Sequence, residues 1–228
     1  MGMDRLFDTL IDRVRATFPL TDVELDPEIA RPRSRLKILN ATHYNWEAER
    51  FRKLFGMRFQ VRLPPLNQLN TIFYPELCFD TPIFLFFVLV TRRKLIAHLN
   101  VYCPFDDVDY LAKHVAPKVE LLNKYAPFEC VDRYPEWMRK YRRPCSIYGM
   151  FARDRLGDLE SCAHDYLEHY LKLAREAGQV TEPERLERIG RFHTQFIEDI
   201  RTQDKAQGMI AKLIGKNKAR RIFYEITT

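Results

Sequence analysis

The stretch YPELCFDTPIFLFFVLV, Tyr74 to Val90, lies in a 228-residue chain of which 30% is charged. From Pro82 to Val90, nine consecutive residues carry no polar side chain. A run this dry is a core strand, a membrane segment or the wall of an apolar ligand site. It is about half the roughly 20 residues that a helix needs to cross a bilayer, and it opens with a proline, so a membrane span is not expected. In a strand, side chains alternate: Ile83, Leu85, Phe87 and Leu89 face one way, and Phe84, Phe86, Val88 and Val90 the other. Such a strand must be covered on both faces. One face meets helices. The other meets more helices or lines an apolar pocket.

The flanking sequence reads as further strands. RLKILNATHY (35–44), FGMRFQVRL (55–63), LNTIFY (69–74) and KLIAHLNVY (94–102) are rich in β-branched and aromatic residues, and turns as short as TRRK imply antiparallel pairing. SIYGMFARD (146–154) returns to strand late in the chain. Helical spacing marks the rest. Leu6, Phe7, Leu10, Ile11, Val14 and Phe18 form one face of an opening amphipathic helix. Pro19, Pro27 and Pro32 then make a connecting arm. DDVDYLAKHVAPKVELLNKY (106–125) reads as one helix kinked at Pro117. Two long helices close the chain, the first stopped near Gly178, the second starting with Thr181 and Glu184 in capping-box spacing around Pro183. The expected fold is an α/β/α sandwich of the α+β class, a central antiparallel β-sheet with helices on both faces, in one domain spanning residues 1–228.

A hydrophobic fraction of 46% is enough for a substantial core. The N-terminal MGMDRLFDTLIDRVRATF mixes acids with apolar residues and has no small-residue cleavage site, so it does not read as a signal peptide and a cytoplasmic protein is expected. The five cysteines, Cys78, Cys103, Cys130, Cys145 and Cys162, are odd in number and lack CxxC spacing, which argues against a disulfide framework or a zinc site. His164 and His169 are five apart and fall on different helix faces, so no metal site is expected. The net charge of +6 and pI near 9.1 suit an acidic partner or surface, and the clusters at 92–94, 139–143 and 216–221 accompany no nucleic-acid motif. Nucleic-acid binding is therefore not expected.

One acid stands out. Along RIGRFHTQFIEDIRTQDKAQGMIAKLIG the apolar stripe Ile189, Phe192, Phe196, Ile200 continues by one turn to Asp204. A carboxylate on a buried stripe is pushed toward its protonated form, which is how a protein prepares a proton donor. The spacing of DKAQ equally suits Asp204 as the N-cap of a new helix after a break, and the two roles are compatible. At Gly208, one further turn on, the missing side chain leaves room for something to approach.

In their order these features resemble the ferredoxin-dependent bilin reductases, over the whole chain. FRKL (51–54), FYPELCFDTPIF (73–84), PEW (135–137) with SIYGMFAR (146–153), and QDKAQGMIAKLIG (203–215) are similar to that family's segments, with Pro75, Asp80, Pro82, Phe84, Asp204, Lys205, Lys212 and Gly215 in register. The resemblance implies an α/β/α sandwich whose bilin lies between the sheet and the C-terminal helices, with Asp204 matching an aspartate that protonates the substrate. It implies substrate contacts at Asn70, Phe87 and Gly208, and makes Arg153 and Lys205 candidates for the propionates. It also implies no tightly bound cofactor: electrons come one at a time from reduced ferredoxin, an acidic partner suited to the chain's positive charge. Two departures matter. The family's strand aspartate is replaced by Phe87, and the histidine of phycocyanobilin-forming members by Asn70. Reduction of the A-ring diene of biliverdin or dihydrobiliverdin is then favoured over the standard phycocyanobilin chemistry. The alternatives are a reductase of another open tetrapyrrole, similar to red chlorophyll catabolite reductases, and a bilin-binding protein without catalysis.

Overall fold

A computed structural model of the chain describes residues 3–34, 37–125, 128 and 134–228. Cys130 and the start of the first expected strand at Arg35 lie outside the described residues. Seven strands form one antiparallel sheet in sequence order: β1 (Thr21–Asp22), β2 (Leu39–Ala48), β3 (Phe51–Val61), β4 (Leu66–Pro75), β5 (Ile83–Val90), β6 (Lys94–Tyr102) and β7 (Ile147–Ala152). From β2 to β6 the connections are short and leave no length for crossovers, so these strands pair in chain order; β1 and β7, reached by longer connections, add at the two edges.

Both faces of β5 are covered, as its composition requires. Phe84, Phe86, Val88 and Val90 pack with Leu6, Phe7 and Leu10 of α1 (Met3–Thr17), with α3 (Val108–His114) and α4 (Ala116–Leu122), and with Leu159, Tyr166 and Tyr170 of α5 (Leu156–Glu176). Ile83 and Leu85 face a second core with Ile29 of α2 (Pro27–Ala30), Phe196 and Ile200 of α6 (Pro183–Gln203), Ile210 of α7 (Ala206–Ile214), Ala219 of α8 (Lys216–Arg221), and Ile222 and Phe223 of a closing π-helical turn, Ile222–Thr227. The result is the α/β/α sandwich expected from the sequence. Every residue of β5 is buried except Phe87, which is half-buried. That gap marks where the second helical layer stands off the sheet.

Several local expectations need correction. The helix expected over 106–125 is two helices broken at Val115, because Pro117 supplies no N–H and its ring opposes the preceding turn. No capping box forms at Thr181: α6 begins at Pro183 with Glu182 before it and no side-chain cap, which places Glu184 one position too early. The first long closing helix ends at Glu176, with Ala177 already extended, two residues ahead of Gly178. The proline-rich arm holds both an edge strand, β1, and a single helical turn, α2, capped by Asp26 on the Glu28 N–H at 2.8 Å. Cys103, Cys145 and Cys162 are buried thiols and Cys78 is half-buried, all four free.

Gly56 on β3 shows how closely α1 sits on the sheet. A Cβ there would lie 2.9 Å from Phe7 Cζ and 2.9 Å from Trp46 Cζ3, closer than any relaxed carbon contact. A glycine inside a strand is otherwise unfavourable, and here it admits the helix. Gly56→Ala is expected to destabilise the fold by about 1–3 kcal/mol through overpacking. The check is a lower urea midpoint with an unchanged slope of the transition.

Candidate active site

Between the sheet and the α6–α8 layer lies a cavity of ≈ 430 Å³, within the roughly 300–1,000 Å³ typical of small-molecule sites. Its floor is a row across five strands. The register pairs Met57 with Asn70, Asn70 with Phe87, Phe87 with His98, and His98 with Tyr148, and all five line the cavity. Directly opposed residues on one sheet face stand roughly 5 Å apart, so these side chains form a continuous surface. Asn70 and Phe87, the two expected floor residues, are adjacent. The Asn70 side-chain oxygen is buried without a protein partner among the described residues, which leaves a strong acceptor facing an otherwise greasy space.

The roof comes from the helices. Phe196 and Ile200 project from α6, Ala206 and Ile210 from α7, and Ile222 and Phe223 from the π-helical turn. Between α6 and α7 the helix is interrupted, and Asp204 occupies the break with extended backbone, φ −73° and ψ 112°. Its carboxylate accepts a 2.8 Å hydrogen bond from the Ala206 N–H. Asp204 therefore does both things that its spacing allowed: it satisfies an N–H at the start of α7, and it lines the cavity. Burial raises its pKa above the ordinary 3.8, and the Ala206 N–H opposes that rise without cancelling it. It is the sole carboxylate, and Lys205 the sole ammonium, lining the cavity among the described residues.

The other two expected residues lie elsewhere. Arg153 is exposed beyond the end of β7, donating to the Arg92 carbonyl at 3.3 Å, and does not line the cavity. Gly208 faces solvent on α7, two residues from the inward Ala206 and Ile210, and a Cβ there meets nothing within 4 Å. The room that its missing side chain leaves is outside the cavity.

His98, Tyr102 and Tyr148 were missed in the sequence. In KLIAHLNVY, strand alternation puts His98, Asn100 and Tyr102 on one face, and antiparallel register sets His98 beside Phe87. That signal existed but needed the pairing partner. Nε2 of His98 lies 3.2 Å from the Tyr102 hydroxyl, and burial lowers the His98 pKa to about 3, so the imidazole is neutral. Behind Tyr102, the Tyr141 ring packs edge-on at 5.5 Å and donates its hydroxyl to Asp199. Burial alone would raise Asp199, but bonds from Lys140, Tyr141 and Gln195 outweigh it and hold it charged. Of these two aspartates, Asp204 is pushed toward its protonated form and Asp199 away from it. Among the described residues no cluster of His, Cys, Asp and Glu suits a metal, and no helix is long and apolar enough to cross a membrane.

A raised carboxyl pKa has a definite sign in stability. Between 3.8 and its folded value, the native state holds the Asp204 proton that the unfolded chain has released. Stability therefore falls as the pH rises through that window, and the loss is complete above it. Asparagine keeps an oxygen for the Ala206 N–H and never ionises. Asp204→Asn is expected to raise the thermal midpoint near neutral pH, with the gain narrowing as the pH approaches 3.8. Calorimetric scans of both proteins across that range check it.

The chain is 25% identical over 164 residues, 68% of its length, to the 15,16-dihydrobiliverdin:ferredoxin oxidoreductase of Nostoc punctiforme, and the match spans 65% of that protein. It is 28% identical over 177 residues, 75% of its length and 71% of the relative, to the phycoerythrobilin:ferredoxin oxidoreductase of Gloeobacter violaceus. The fold superimposes on the crystal structure of selenomethionine phytochromobilin synthase from tomato in complex with biliverdin, with a TM-score of 0.88 over 98% of this chain and 82% of that one, at 16% identity. The model of the family described as ferredoxin-dependent bilin reductase matches residues 7–226. The chain thus belongs to the ferredoxin-dependent bilin reductase family.

Proposed function

We propose that the chain reduces a linear tetrapyrrole, biliverdin or dihydrobiliverdin, with electrons from reduced ferredoxin, and that the bond reduced lies in the A-ring diene. The observation that carries this reading is Asp204: a carboxyl held toward its protonated form on the wall of an apolar cavity large enough for a small-molecule ligand. Two ferredoxins each give up one electron, and two protons complete the addition across the diene. No bond to the protein forms. The first electron makes the bilin strongly basic, Asp204 passes its proton to it, and the carboxylate is then recharged from solvent. The second proton also comes from solvent, because the sheet side offers no acid: Phe87 replaces a carboxylate and His98 is neutral.

The remaining cavity residues suit a flat, greasy molecule with a polar rim. The unpartnered Asn70 oxygen accepts from a pyrrole N–H. The Phe87 ring gives an apolar face to stack on, and Lys205 at the mouth pairs with a propionate. Arg153, outside the cavity, is given no part in substrate binding.

A second reading rests on the same Phe87. A family member without the strand carboxylate could bind bilin and carry it without reducing it. An anaerobic absorbance time course with biliverdin, ferredoxin, its reductase and NADPH separates the two. Transient radical bands followed by a blue-shifted product are expected, and chromatography of that product names the bond. In Asp204→Asn, turnover is expected to fall about 10²- to 10⁴-fold while bilin binding is retained, the usual contribution of a positioned acid. A bound biliverdin spectrum that never changes under electron supply would establish the carrier. Turnover of red chlorophyll catabolite in place of biliverdin would reassign the substrate.

A further inference from the structure

Residues 205–224, from Lys205 through α7 and α8, contain six lysines and arginines and no acid. The two faces of this segment differ sharply. Ala206 and Ile210 of α7 point into the cavity and Lys205 stands at its mouth, while Met209 and Lys212, three residues apart, are exposed to solvent. Lys205, Lys212, Lys216 and Arg220 are exposed, and no described carboxylate pairs with any of them. Their neighbours Lys218 and Arg221 are committed instead to Glu28 and Asp26 of the α2 turn. Met209, 40% exposed, lies between Lys205 and Lys212 in the chain, beside the bare backbone of Gly208.

Single exposed apolar residues are ordinary. A methionine among exposed cations that no described carboxylate pairs with is not: this is the composition of a transient protein interface, apolar residues accompanied by charged ones. Unpaired cations also set up the long-range field that speeds encounter with an oppositely charged partner.

We propose that the exposed side of α7 and α8, with Gly208 and Met209 beside Lys212, Lys216 and Arg220, is where the electron donor docks: an iron–sulfur protein presenting a carboxylate-rich face. This rests on the reductase reading above and deepens it. The same short helix lines the cavity with Ala206 and Ile210 and exposes Gly208, Met209 and Lys212 to solvent, so a donor seated on its exposed side is held close to bound substrate. In each encounter the donor is oxidised by one electron and the bilin reduced by one, with no proton crossing the interface. The steric gap at Gly208 then has a use outside the cavity, as the flat spot that lets the partner come close.

The test is the triple variant Lys212→Glu/Lys216→Glu/Arg220→Glu, which leaves Lys205 and every cavity residue in place, with the triple Arg92→Glu/Arg93→Glu/Lys94→Glu at the far turn of the sheet as control. Three readouts are taken: biliverdin binding by absorbance, reduction of bound biliverdin by a small chemical reductant, and kcat/KM for ferredoxin against ionic strength. The expected result is unchanged binding and chemical reduction, a fall of at least tenfold in kcat/KM for ferredoxin, and loss of its salt dependence, with the control triple unaffected. Gly208→Trp, which changes bulk and not charge, is expected to slow the ferredoxin reaction in the same selective way. An unchanged ferredoxin rate in the α7–α8 triple, or an equal loss in the control, would overturn the docking site while leaving the reductase reading intact. Loss of retention on anionic vesicles or on nucleic acid with an unchanged ferredoxin rate would reassign the face and also overturn it. If the unaltered protein is reduced by neither ferredoxin nor the chemical reductant, the reductase reading itself fails and the docking site falls with it.

Discussion

Covering both faces of the β5 run is the constraint on which the rest of the molecule depends. Fully burying one large apolar side chain is worth about 1.5–3 kcal/mol, and the eight residues from Ile83 to Val90 present such groups on both sides. Neither face can be left to water, so the sheet needs two helical layers. The layer with α1 and α5 is close-packed, down to the contact at Gly56 that excludes even a methyl group. The layer with α6 to α8, broken at Asp204 and at Gly215, leaves a space, and Phe87 stands at its floor. The cavity is the difference between the two coverings.

The break between α6 and α7 supplies the chemistry. A helix continued through residue 204 would have buried a carboxylate with nothing to offset its desolvation. Interrupting the helix gives Asp204 one backbone N–H, enough to hold the side chain in place and too little to make it a comfortable anion. Asp199, one turn earlier, has the opposite fate: four donors, from Lys140, Tyr141, Gln195 and Gln203, keep it charged despite deep burial. Two aspartates close in sequence are thus shifted in opposite directions, and the count of their hydrogen-bond donors is what differs.

The sandwich was legible because its signals are local. Period-two alternation with short turns specifies an antiparallel meander, and the dry β5 specifies that it is covered twice. Asp204 was legible for the same reason, as a break in a helical stripe. What failed were features that depend on partners distant in sequence. His98 and Tyr148 join the floor only through the register of β5, β6 and β7. Arg153 looked suited to a carboxylate by residue type, but it lies in the turn beyond β7, outside the cavity. Gly208 was read for its missing side chain without knowing which side of α7 faces in, and α7 starts in a new phase after the break, so the stripe of α6 could not be extended to decide it.

The roof's short elements have one more consequence. Isolated helices under about 12–15 residues are marginal in water, and α7 and α8 have nine and six, separated by Gly215 at φ +92°, a conformation that glycine adopts without strain. Their order is borrowed from the surfaces they touch, and part of that surface is empty space where a ligand would sit. An occupant therefore does more than fill a void: by mass action it adds its own binding free energy to the native state, and it does so at the elements with least stability of their own. Occupancy and order of the C-terminal layer are one equilibrium, so the molecule that carries a substrate is a firmer body than the molecule that waits for one.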